Sequence, residues 1–106
     1  MSRSLAELTG LVSEVSDTYA SRNDIARDDD WYLLKVQEEL GELVAEYLKT
    51  TSRARLKGAD ATTIRQAMED ETADVLAMLL LFANHNKIDL EAALERKWFQ
   101  YLGRGP

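Results

Sequence analysis

The sequence predicts an all-α fold, a four-helix bundle, on three observations. Its single proline is Pro106 and it has only five glycines, so almost nothing in the interior breaks a helix. Apolar residues recur at three- and four-residue steps over long stretches, the period of an amphipathic helix. With 45% hydrophobic and 30% charged residues, the chain can build a core and is not compositionally disordered. A chain of 106 residues suits a single domain, so one site or one interface is what it can carry.

Leu5, Leu8, Leu11, Val12, Val15 and Tyr19 place a first helix over residues 4–20. Residues 21–30, SRNDIARDDD, lack apolar periodicity and read as the longest loop, ending in three Asp that suit the positive start of the next helix. A second helix is expected from Asp30 to Thr51, fraying as far as Leu56, because Leu33, Val36, Leu40, Leu43 and Tyr47 alternate by three and four with Val44 alongside. The basic stretch SRARLKG follows, closed by Gly58.

Asp60, Thr62 and Thr63 are candidate N-caps of a third helix that reaches Asn84 or His85, and Thr63 with Gln66 fits capping-box spacing. From Val75 to Ala83 this helix is apolar on every side, as expected of one buried by its neighbours all round. Asp89 caps a fourth helix running to Leu102, with Glu91 in its first turn, Arg96 and Lys97 toward its end and Gly103 after it. Surplus apolar residues on the third and fourth helices, Trp98 and Phe99 among them, predict a homodimer or a dimer of dimers.

Thirteen Lys and Arg against nineteen Asp and Glu give a formal charge of −6, which argues against a partner gripped as polymeric nucleic acid. The absence of cysteine excludes disulfides and thiolate metal sites. The longest apolar run, Val75 to Ala83, falls well short of the roughly 20 residues a membrane span needs, and MSRSLAELTG has no apolar region of signal-peptide type. The expectation is a cytoplasmic protein with no membrane partner.

Two acidic clusters carry the chemistry: Glu38, Glu39, Glu42 and Glu46 on the second helix, and Glu69, Asp70, Glu71 and Asp74 on the third. Carboxylates three or four residues apart share a helical face, so Glu39 with Glu42, and Glu71 with Asp74, can each offer two oxygens to one hard cation. An isolated acidic pair in so charged a chain is ordinarily a solvated face. Register distinguishes the clusters. At roughly 100° per residue, Glu71 shares the stripe of Ile64, Met78 and Phe82, and Asp74 lies about 60° to one side. Burying an unpaired carboxylate is costly and calls for a cation, a metal or a raised pKa. On the second helix Glu39 borders the apolar stripe, Glu38 and Glu42 lie farther round, and the small residues Gly41 and Ala45 permit another helix to approach there.

The run KVQEELGELVAEYLK (Lys35 to Lys49), then EDETADVLAMLLLFA (Glu69 to Ala83), then IDLEAALERK (Ile88 to Lys97) resembles, in that order, the MazG-like all-alpha nucleoside triphosphate pyrophosphohydrolases. Their signature, E-E-x-x-E on one helix and E-x-x-D on the next, is matched by Glu38, Glu39, Glu42, Glu71 and Asp74. The resemblance covers residues 31–104 and departs from the family at Ala73, where Gly is frequent, and at Tyr101, where Asn is usual. It implies a four-helix bundle completed by homo-oligomerisation, with Mg²⁺ (or Mn²⁺) held by Glu39, Glu42, Glu71 and Asp74. It also implies hydrolysis of a (d)NTP to the (d)NMP and pyrophosphate, a reaction suited to house-cleaning of noncanonical nucleotides.

The residues agree with that chemistry. Divalent ions on the four carboxylates would reverse the local charge and stabilise charge developing on phosphate oxygens. Glu38 would steer the attacking water, and Lys97, Arg104 and Lys35 would neutralise phosphate oxygens, Lys97 also as a catalytic residue. Trp31 would stack on the base. Each has a plainer reading. Lys97 and Arg104 suit a helix end, Lys35 can pair with Glu39, Trp31 fills a core or interface, and the lone His85 answers a helix dipole. A different class of function, a non-catalytic oligomerisation or nucleotide-sensing module, uses the same fold. The related phosphoribosyl-ATP pyrophosphohydrolases share only the carboxylates.

Overall fold

Ser4 opens the first helix by accepting a hydrogen bond from the Glu7 backbone N–H at 3.1 Å, and the Glu7 carboxylate in turn accepts one from the Ser4 N–H at 3.0 Å. This reciprocal cap begins α1, Leu5–Arg22. The computed structural model describes residues 2–104. After α1 come α2 (Asp29–Thr50), α3 (Ala61–His85), α4 (Leu90–Lys97) and a 3-10 turn at Phe99–Tyr101. The expected all-α class holds, with no strand among the described residues. None of their helices is long and apolar enough to cross a membrane.

The later starts are capped as acids cap helices. Asp28 accepts from the Trp31 N–H at 2.8 Å, Asp60 from the Thr63 N–H at 2.8 Å and Asp89 from the Ala92 N–H at 3.0 Å. The bond from Thr63 holds the Asp60 carboxyl below its usual pKa. Thr63 is therefore the third residue of α3 and a donor to the cap. It does not open a capping box with Gln66, because the helix starts before it.

The ends explain why so few glycines suffice. α1, α2 and α3 each close on a residue with left-handed φ: Asp24 at 52°, Ser52 at 58° and Lys87 at 56°. The next N–H reaches back over a full turn, Ile25 to the Ala20 carbonyl, Arg53 to Leu48 and Ile88 to Ala83, at 3.0, 2.9 and 2.8 Å. Two expected boundaries change as a result. α1 extends through Arg22, so residues 23–28 form a shorter link than expected, and residues 51–60 are the longest connection. The turn at Ser52 also stops α2 at Thr50, with no continuation toward Leu56. Gly58, at φ 78°, supplies a further left-handed turn in that connection.

α4 ends at Lys97, earlier than the expected Leu102. Beyond Trp98 the N–H groups of Tyr101 and Leu102 bond three residues back, tightening the chain into the 3-10 turn.

The described residues fall into two compact units, and the division lies inside α3. Residues 2–25 and 80–104 form one, with α1, the end of α3, α4 and the 3-10 turn. Ala20, Leu80, Leu81 and Ala83 are its buried residues, Leu80 at 2% exposure. Ala26–Leu79 form the other, with α2 and most of α3, and Tyr32 and Ile64 are buried there.

Several apolar stripes stay open. Leu76 and Leu79 are exposed, so α3 is not enclosed on every side, and Val15 is 70% exposed on α1. A chain this small does not supply neighbours for every face of a 25-residue helix. At Gly41 an added Cβ would meet nothing within 4 Å, so no helix of its own unit uses the close approach that Gly41 permits.

Candidate functional site

The site lies wholly in the unit formed by α2 and most of α3. Its approach begins at the α2 cap. Trp31, fixed through its N–H to Asp28, stands edge-on to Tyr32 with ring centroids 5.1 Å apart. One turn on, the Lys35 ammonium lies 6.0 Å from the Trp31 ring centroid, 3.1 Å from Glu38 Oε1 and 3.9 Å from Glu39 Oε1. These partners hold the Lys35 pKa above its ordinary value, the hydrogen bond to Glu38 contributing most.

Glu39 and Glu42 on α2 meet Glu71 on α3. Each turns one carboxylate oxygen to within 4.8 Å of the other two. The helical period accounts for the set: Glu39 and Glu42 are three residues apart on one face, and Glu71 continues the stripe that holds the buried Ile64. Only 12% of the Glu39 side chain is exposed. Glu39 Oε2 and Glu71 Oε2 are buried and have no hydrogen-bond partner. Ionised carboxylates are acceptors only, so a group of them cannot satisfy itself without a proton or a cation.

The electrostatics follow from that crowding. Burial, aided by the Glu42 carboxyl and the Asp74 charge, pushes the Glu39 carboxyl up to about 7, with Lys35 opposing. Burial and the charges of Glu42 and Asp74 likewise raise Glu71. Asp74 thus acts on both half-buried acids, yet it is exposed and stands outside the three-oxygen set, unlike Glu71. An all-oxygen donor set with two orphaned buried oxygens fits a hard divalent cation such as Mg²⁺.

Glu38 is 55% exposed and bound to Lys35, at the rim beside Glu39. Trp31, Lys35, Glu38, Glu39, Glu42, Glu71 and Asp74 accordingly belong to one unit. Lys97, the last residue of α4, and Arg104, whose guanidinium donates to the Gln100 carbonyl at 2.7 Å, belong to the other.

Sequence reasoning passed over a cavity of about 640 Å³ in the unit of α1 and α4, lined by Leu5, Thr9, Ser13, Leu80, Ala83 and Ile88 among others. Ser13 Oγ is buried with no partner. The lining comes from two stretches distant in sequence, the start of α1 and the turn from α3 into α4, and the amphipathic pattern of each shows only that it has an inner face. Compared with known proteins, the chain matches no family model, no curated protein and no solved structure.

Proposed function

We propose that this protein is a divalent-metal-dependent nucleoside triphosphate pyrophosphohydrolase, converting a (d)NTP and water to the (d)NMP and pyrophosphate. The observation that carries the reading is the meeting of Glu39, Glu42 and Glu71 from two helices with two buried oxygens unsatisfied. Structures seldom retain such a group of acids without compensation.

In this reading Glu39, Glu42 and Glu71 hold Mg²⁺, with Asp74 completing the set as the MazG-like resemblance implies. The bound ion supplies positive charge and Lewis acidity toward phosphate oxygens. Glu38, half in solvent, orients the attacking water and takes its proton. Trp31, one helical turn before Lys35 on α2, stacks on the base in this reading. The phosphate contacts assigned to Lys97 and Arg104 rest on the resemblance alone.

The exposed apolar residues of α1 and the C-terminal segment, Val15, Tyr19, Trp98 and Leu102, favour in addition a bundle completed by a second copy. Without turnover, the same surface supports a non-catalytic oligomerisation or nucleotide-sensing module.

The test is pyrophosphate release from a panel of canonical and modified (d)NTPs with Mg²⁺. Turnover of at least one member is expected, lost in Glu71→Ala. If the folded wild type binds Mg²⁺ but turns over none, the enzyme reading fails and nucleotide calorimetry decides whether the sensor reading stands.

A further inference from the structure

Lys35 has a position that phosphate binding does not explain. A lysine waiting for a phosphate would be expected to extend into solvent, but this one is largely covered, with 26% of its side chain exposed. Its ammonium is held between the Trp31 ring and two carboxylates, Glu38 at 3.1 Å and Glu39 at 3.9 Å. Glu42 adds its attraction from the next turn, and Lys35 is the cation that opposes the crowding of acids at Glu39.

We propose that Lys35 is a built-in counter-ion of the acidic cluster, and that a divalent cation must displace its ammonium from the Glu38–Glu39 edge in order to bind. This inference rests on the metal reading above and adds a regulatory element to it. Glu39 is both the nearest metal-ligand candidate to Lys35 and the best buried carboxylate of the set on α2. Any dication that it ligates shares that carboxylate with the ammonium, and like charges at such separation repel. Glu38 cannot easily serve the attacking water while bound to Lys35, so release of the ammonium also frees Glu38. The internal cation thus keeps the metal-free cluster folded and sets a threshold that weakly bound monovalent ions do not pass.

The Trp31 indole, against which Lys35 rests, reports the displacement. In a Trp98→Phe background, where Trp31 is the sole tryptophan, Mg²⁺ binding is followed by calorimetry and by indole emission, with and without Lys35→Met. The expected results are threefold. Mg²⁺ shifts Trp31 emission with the same midpoint as the heat. The Lys35→Met protein binds Mg²⁺ roughly threefold or more tightly, in line with loss of a partly exposed ion pair. Its Trp31 emission no longer responds to the metal.

An emission unchanged at Mg²⁺ saturation overturns the proposal, as does a response that survives in Lys35→Met or an affinity that fails to rise there. Each of these leaves the metal site standing. Absence of Mg²⁺ binding by both proteins removes the metal reading and this inference with it. Should Lys35→Met fail to fold, the emission of the Trp98→Phe protein alone decides.

Discussion

Glu39 on α2 and Glu71 on α3 bring carboxylate oxygens within 4.8 Å of each other, and each keeps a buried Oε2 with no hydrogen-bond partner. The two positions are 32 residues apart in sequence, and each is raised in pKa first by its own burial and then by neighbouring acids. Two charged groups so placed oppose folding unless something positive lies between them.

Glu71→Gln should therefore stabilise the metal-free protein at pH 8, because the amide removes one of the repelling charges and can donate a hydrogen bond to Glu42 or Asp74. Thermal unfolding in chelator should show a higher Tm than wild type, and added Mg²⁺ should raise Tm in the wild type only. A lower Tm in chelator, or an equal response to Mg²⁺, would show that Glu71 is an ordinary structural acid.

The metal-free protein should also become less stable as pH rises from about 4.5 to about 7 through the contribution of Glu39. With its folded pKa raised to about 7 from the ordinary 4.5, the folded state binds a proton that the unfolded chain has already released. That contribution is fully present below 4.5 and is lost as pH passes the folded value. The measurement is Tm against pH in chelator, with Glu39→Gln beside the wild type. The difference between the two curves should grow across this window, in favour of the variant, and a constant difference would remove Glu39 as the titrating group.

Lys87 ends α3 in the left-handed region at φ 56°, a conformation that costs a side-chain-bearing residue roughly 1 kcal/mol and glycine almost nothing. Lys87→Gly should raise stability by about 0.5–1 kcal/mol, a Tm gain of about 4 °C, offset in part by the freer unfolded chain. Chemical denaturation with an unchanged m value checks it. A loss of stability would mean that the Lys87 side chain contributes more than its backbone costs.

Much of the architecture was legible because it is local. The capping roles of Asp60 and Asp89 act over three residues, and the stripe shared by Ile64 and Glu71 follows from the helical period alone. The end of α3 fell at His85, as expected, but the ends of α1 and α2 were not legible in the same way. Those two turn at Asp24 and Ser52, residue types that carry no strong stop signal, and the absence of Gly and Pro there let the apolar pattern break off too soon in α1 and run on in α2. The end of α4 was misplaced for a related reason: Phe99 and Leu102 continue the apolar spacing even though the backbone tightens to three-residue bonds beyond Trp98.

The sequence by itself determined that the chain is helical and which carboxylates share a face of each helix, since both depend on spacing within a single element. It also marked Glu71 as an acid among apolar residues. Only the tertiary structure decided that Glu39 and Glu42 meet Glu71 and that Asp74 stands exposed beside them, whereas the pairing of Lys35 with Glu39 follows from their spacing on one helix. It decided, too, that nothing approaches Gly41 and that Leu76 and Leu79 stay exposed. The physical reason is that periodicity fixes the direction of a side chain about its own axis, whereas burial and charge proximity depend on what other segments place opposite it.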